Sequence, residues 1–253
     1  MRSLTFSSRT IKEILRDPLS YIFCIGFPVV MLIIMTVVNN SIPKQADMTV
    51  FNLNNLTPGI AVFGLTFVML FASMQVAKDR TIALIIRLHA SPMKPSDFIV
   101  GYTLPMLIIG LIQIAITYVA GIVISIFVDY SFNYFDLFLS ILFFIPSLVM
   151  YISFGLIFGT LFSEKAAPGI CSILISVVGM IGGIWMDIES IGGTIMKVGK
   201  VLPFYRGVKC GIMVVNGSLG GAVTELLYTV LWAVAFYVIA IYVMNRKLKK
   251  DIM

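Results

Sequence analysis

Long runs without an acidic or basic side chain limit what this chain can fold into. Residues 19–38, 58–77, 137–162 and 168–186 carry no Asp, Glu, Lys, Arg or His. Each is close to or above the roughly 18–20 residues that span a ~30 Å hydrocarbon core as a helix. Residues 98–128 and 224–245 read as two more crossings. Only 12% of the 253 residues are charged, 59% are hydrophobic, and the mean hydropathy is +1.03. Ordinary soluble domains carry about 25% charged residues. Strands of an outer-membrane barrel would alternate over ~10 residues, and these runs do not alternate. The expectation is an all-α polytopic membrane protein with six transmembrane helices, forming a single domain over residues 1–253.

The basic residues predict its orientation. Arg2, Arg9, Lys12, Arg16, Lys78, Arg80, Arg87, Lys94, Lys165, Arg246, Lys247, Lys249 and Lys250 fall on one side, 13 of the 18. Lys44, Lys197, Lys200, Arg206 and Lys209 fall on the other. Both termini are therefore expected in the cytoplasm, with the net charge of +6 turned toward an anionic inner leaflet or an inner partner. Cys24, Cys171 and Cys210 are odd in number and widely spaced, which fits buried thiols better than disulfides or a metal site. His89 is the single histidine, which removes most metal and acid–base schemes.

Residues 1–17 do not span. Leu4, Ile11, Ile14 and Leu15 share one helical face and Arg9, Lys12, Glu13 and Arg16 another, the pattern of a helix lying in the headgroup plane. Asp17-Pro18, Thr57-Pro58 and Pro168 each read as the start of a crossing. The third run is longer than the core requires, which Pro105 or tilt can absorb, and Pro146 is expected to bend the fourth. Residues 187–221 contain apolar runs too short to cross, broken by Pro203 and several glycines. They predict an outer re-entrant or interfacial helix pair, whose loose backbone groups must be buried in protein. Gly155-x-x-x-Gly159 and Gly179-x-x-x-Gly183 offer close helix approach, inside the chain or between subunits.

Ion-coupled carriers keep ionisable groups at mid-depth. Here the crossings offer little beyond Gln75, Gln113 and scattered Ser, Thr and Tyr. Ser153-x-Gly155 has no histidine in any crossing to activate it, so an intramembrane hydrolase is also disfavoured. Charge gathers instead in residues 78–101, KDRTIALIIRLHASPMKPSDFIVG, expected as a cytoplasmic loop over 78–97. Residues 79–90 read as a short amphipathic helix, with Ile82, Ile85, Ile86 and Leu88 apolar and Asp79, Arg80, Arg87 and His89 polar. Ser91-Pro92 stops it. Composition alone leaves this helix as either a lever for a cytoplasmic partner or a basic loop on anionic lipid. An ATP-independent carrier or channel, or a scaffold without transport, also remains open.

Asp79-Arg80, Thr81, Leu88, Ala90-Ser91-Pro92, Phe98 and Gly101 follow one another in an order similar to the first cytoplasmic loop of type-2 ATP-binding-cassette (ABC) exporter permeases. The amphipathic N-terminal helix, the six crossings and the broken hairpin with Leu202-Pro203 and Asn216-Gly217 resemble that family too. One position departs, since Arg80 stands where the family has glycine. The resemblance implies a permease subunit that pairs with a second permease and is driven by a separate ATPase subunit. Contact with the ATPase would run through Arg9, Lys12 and Arg16 on the N-terminal helix, and through Asp79, Arg80, Thr81, Arg87, Leu88, Ser91 and Pro92. No G-x-x-x-x-G-K-[ST] loop occurs in the sequence, so ATP and Mg would be held by the ATPase and no cofactor by this chain. The implied partners are that ATPase, a second permease and membrane lipid, without nucleic acid, in the cytoplasmic membrane. The implied direction is export of a hydrophobic drug, antibiotic peptide or lipid. A path would be lined by Phe23, Phe27, Met31, Met35, Phe63, Phe67, Phe71, Met74, Met180 and Trp185. Phe63, Phe67, Phe71 and Met74 share one helix face, a stripe that serves simple packing as readily as a path. Lys197, Lys200, Arg206 and Lys209 read as an outer basic cluster, for anionic groups or for solvent.

Overall fold

The computed structural model describes residues 2–41, 49–81 and 95–252, and among them every regular element is helical. α1 (Arg2–Leu15) is followed by α2 (Pro18–Tyr21), a π-helical turn (Ile22–Gly26) and α3 (Phe27–Ser41). The last three form one rod, started as expected: Pro18 occupies the first helical position and Asp17 Oδ1 accepts the Leu19 N–H at 3.1 Å. After a short 3-10 turn (Thr49–Phe51) come α4 (Leu53–Thr81) and α5 (Pro95–Phe127). The fourth crossing is two helices, α6 (Tyr134–Phe143) and α7 (Ile145–Leu161), broken at Phe144 with Pro146 in the first turn of α7. Then follow α8 (Ala167–Ile181), α9 (Ile188–Ile191), α10 (Gly193–Val201), α11 (Pro203–Val215) and α12 (Leu219–Ile252). The expected helix pair of residues 187–221 is thus present as α10 and α11, separated at Leu202-Pro203.

One expectation is corrected. Thr57-Pro58 does not start a crossing, because α4 begins at Leu53 and carries Pro58 inside it. The added turn is held by a tertiary amide cluster: Asn54 Nδ2 donates to Asn216 Oδ1 at 2.6 Å and Asn216 Nδ2 donates to Asn55 Oδ1 at 2.9 Å. A local capping rule cannot register a partner 162 residues away. The six apolar segments differ in helix length. Among the described residues five helical stretches are long and apolar enough to cross, and α8 is not one of them. Its 15 residues rise only about 22 Å, because the backbone leaves the helix at Gly182 and turns at Gly183 with φ +74°.

The molecule is organised around α4. Its most apolar window is 83% buried, against 17% for that of α12. α4 makes its most extensive contact with α7, and glycines explain how. A Cβ at Gly155 would lie 2.5 Å from the Met69 carbonyl oxygen, and one at Gly159 would lie 2.4 Å from that of Ser73. Without a hydrophobic drive between helices in lipid, such close approach and the van der Waals contact it permits hold the pair. This glycine motif therefore serves a seam within the chain.

α1 has three faces. Phe6, Thr10 and Ile14 are buried against α5, where Phe6 meets Phe98 and Tyr102 edge-on at ring distances of 5.7 and 5.0 Å. Leu4 and Leu15 remain exposed, beside half-buried Ile11, so the apolar stripe read from the sequence faces outward except at Ile14. Lys12 and Arg16 are exposed on the third face.

Gly159→Leu should lower stability by about 1–3 kcal/mol or more through overpacking against a backbone carbonyl. Gly169→Ala, with nothing within 4 Å of the new methyl, should leave it unchanged. Thermal unfolding of the purified chain in detergent separates the two outcomes.

Candidate functional site

The tract expected to carry the chemistry begins at the end of α4, where Asp79 and Arg80 follow one another. Consecutive residues of a helix point about 100° apart, so the two charges reach different neighbours. Asp79 is fully buried. Arg9 of α1 grips it with both arms, Nη2 to Oδ1 at 3.0 Å and Nη1 to Oδ2 at 3.4 Å, and Tyr102 of α5 donates its hydroxyl to Oδ2 at 2.8 Å. Glu13 extends the network. It accepts from Arg9 Nη2 at 2.6 Å and from Gln75 Nε2 at 2.6 Å. A buried carboxylate is tolerated only when paired and hydrogen-bonded, and this fork with a third donor meets that demand. Partial burial works against the charge of Arg9, but Asp79 and Glu13 outweigh it and raise its pKa.

Arg80 turns the other way. Its Nη1 donates to the carbonyl oxygens of Gly159 at 3.2 Å, of Thr160, and of Phe162 at 3.4 Å. These are carbonyls at the C-terminus of α7, where the helix lacks internal donors and its dipole favours a cation. The Asp79-Arg80 pair thereby ties four helices, α1, α4, α5 and α7, at one end of the bundle.

Asp79, Arg80 and Thr81 form the last turn of α4, not the first turn of a separate short helix as the sequence pattern suggested. The helix is continuous across them, and the Thr81 side chain adds its own bond, Oγ1 donating to the Ala77 carbonyl at 3.0 Å. Arg87, Leu88, Ser91 and Pro92 lie outside the described residues. Lys12 and Arg16 are brought to the same end as this joint but not into it. Sequence reading missed Tyr102 and Gln75 as members. The available signal was polar side chains inside apolar runs beside the charged tract.

The aromatic stripe is brought together. Phe67 lies 5.0 Å from Phe27, 5.7 Å from Phe63 and 5.8 Å from Phe23, and Phe63 lies 5.2 Å from Trp185, ring centre to ring centre. Phe71 is buried, while Met31 and Met74 are half-buried. Together the rings make a continuous seam joining α3, α4 and the turn after α8.

At the opposite end the four cations of the expected basic cluster have different surroundings. Arg206 pairs with Glu225 of α12 at 2.8 Å, donates from Nε to the Lys200 carbonyl at 2.9 Å and lies 4.2 Å over the Tyr228 ring. Lys209 and Tyr205 both donate to Glu189 of α9. Lys197 and Lys200 stay exposed. Glu225 went unread, although a carboxylate within an apolar helix is a signal in itself.

Two outcomes follow. Arg9→Ala leaves Asp79 buried without its counter-charge and should cost about 3–5 kcal/mol. Adding Asp79→Asn should recover much of that loss, as thermal unfolding of the single and double variants will measure. At the other end, hydrogen bonds from Lys209 and Tyr205 hold Glu189 below its ordinary value of 4.5, against partial burial and nearby Asp187. A depressed carboxylate contributes stability that is complete above its ordinary pKa and lost as pH falls through the folded value. Acidification below about 4.5 should therefore loosen α9 from α11, detected by amide exchange, and Glu189→Gln should abolish that dependence.

No curated protein matches the chain. The profile of the ABC-2 type transporter family matches residues 3–216, a stretch that runs from α1 through α11 and includes the Asp79-Arg80 joint. The chain belongs to the ABC-2 type transporter family, as the membrane-spanning permease of an ABC transporter.

Proposed function

We propose that this permease is the membrane half of an ATP-driven exporter that moves a hydrophobic or amphiphilic molecule outward across the cytoplasmic membrane. A separate ATPase subunit binds ATP and Mg, and two permeases pair around the path. The observation that carries this reading is the polar joint at Asp79-Arg80. It couples the end of the most buried helix to α1 on one side and to α7 on the other, and it lies directly before the segment containing Arg87, Leu88, Ser91 and Pro92. A push on that segment or on the exposed Lys12 and Arg16 of α1 would reach α4 through charge-assisted bonds rather than through loose side chains. ATP-dependent closure of the ATPase pair then biases two arrangements of the bundle by differential contact. Both termini and the joint are cytoplasmic in this reading, as the excess of Lys and Arg on that side favours.

The class of cargo is read from the aromatic seam. Phe27, Met31, Phe63, Phe67, Phe71, Met74 and Trp185 pack into a soft, uncharged seam, and a path opened along it would suit a drug, antibiotic peptide or lipid rather than a sugar polymer.

The test is reconstitution of the permease with its ATPase in proteoliposomes. Amphiphile should accumulate against its gradient only with Mg-ATP. Arg87→Glu should reduce the ATPase rate of the complex several-fold while the permease keeps its melting temperature. Uphill movement by the permease alone, or an unchanged ATPase rate in Arg87→Glu together with failure to recover an ATPase in pull-down, would overturn the proposal.

A further inference from the structure

α10 is little covered by protein. Only Gly199 of its nine residues is buried, whereas α11 beside it buries most of one face. Its sides are chemically sorted. Thr194, Ile195 and Val198 line a groove shared with Ile173, Ser176 and Met180 of α8, with a volume of ≈ 560 Å3. Lys197 and Lys200 stand on the other side of the helix, exposed, and among the described residues neither ammonium has an ion-pair partner. The neighbouring cations are already neutralised, Arg206 by Glu225 and Lys209 by Glu189. The uncompensated positive charge of this part of the chain is therefore concentrated on one short helix, beside an apolar groove. Ile173 is 67% exposed and Met180 56%, so the groove opens sideways, toward the surroundings of a membrane protein.

From this we infer that α8 and α10 form a binding site for an anionic phospholipid. One acyl chain occupies the groove, and the phosphate is drawn to Lys197 and Lys200. Charge complementarity selects this occupant. A neutral lipid would leave both ammonium groups uncompensated, and a soluble anion would leave the groove unused. A helix with an apolar side, a lysine side and little burial in protein has the composition of one that lies at the lipid interface, and each lysine near an anionic surface adds to the attraction. The size of the groove falls in the range of ordinary ligand sites. The site is independent of the fuel and direction of transport, so it stands or falls apart from the exporter reading.

The test uses the full chain in nanodiscs of phosphatidylcholine with or without phosphatidylglycerol, read by lipid retention in native mass spectrometry and by melting temperature. Wild type should retain phosphatidylglycerol in preference to phosphatidylcholine and melt higher in its presence, while inorganic phosphate alone should have no effect. The Lys197→Gln/Lys200→Gln double variant should lose roughly tenfold or more of that preference, with its melting temperature in pure phosphatidylcholine unchanged. Ser176→Trp, at an exposed groove position, should reduce retention of either lipid. Absence of any headgroup preference in wild type, or a preference that survives in the double lysine variant, would overturn the site. So would a Ser176→Trp variant that changes oligomeric state but not lipid retention, because the groove would then belong to a second copy of the chain.

Discussion

A carboxylate removed from water must find its counter-charge or it will not be there, and Asp79 is the place where this chain meets that demand. Its position on α4 requires a cation from outside α4, and Arg9 supplies it from a helix that could otherwise lie loose beside the bundle. The bond thus does more than neutralise. It fixes the rotation of α1, sets Phe6 against Phe98 and Tyr102, and turns Lys12 and Arg16 outward. Arg80, one residue further, applies the same logic to unpaired carbonyls at the end of α7. Two neighbouring residues hold four helices because a helix points successive side chains in different directions.

Between the two ends the structure depends on shape. α4 and α7 approach closely enough that glycine is required at Gly155 and Gly159, and the aromatic seam fills the space toward α3. No aqueous solvent drives these helices together within a bilayer, so complementarity of surfaces and avoided voids decide the arrangement. The polar joints lie at the extremities, Asp79-Arg80 at one end and Arg206-Glu225 with Lys209-Glu189 at the other. Stiff apolar rods with defined ionic joints can shift between discrete arrangements rather than deform gradually, and that property suits the proposed coupling to an ATPase.

The two ends use their charges differently. At the α1 end the acidic residue is buried and the surplus cations project from α1. At the far end the carboxylates of Glu189 and Glu225 consume two cations and leave Lys197 and Lys200 on a helix that packs little against protein. The difference gives one end a mechanical role in the proposed function and leaves the other open to lipid.

Much of this was legible from residue order. Uncharged runs of membrane length specify helices, because an unpaired peptide group in hydrocarbon costs several kcal/mol, and Asp17-Pro18 and Pro146 mark a start and a break through their own covalent geometry. The hairpin at Leu202-Pro203 and the concentration of charge at Asp79-Arg80 were also readable, since proline and charge are conspicuous against an apolar background. The start of α4 at Leu53, the short α8, the inward rotation of Phe6 and Thr10, and the pairing of Arg206 with Glu225 were not. Three of these depend on a partner outside the local sequence: Asn216 for Asn54, Gly101 and Tyr102 for Phe6, and Glu225 of α12 for Arg206; the end of α8 is a backbone turn at Gly182-Gly183 that the apolar run conceals. Sequence alone determined which segments are helical and apolar, because those preferences are local. Tertiary structure decided which charges are neutralised and which faces are left exposed, because burial and pairing exist only after the helices have met.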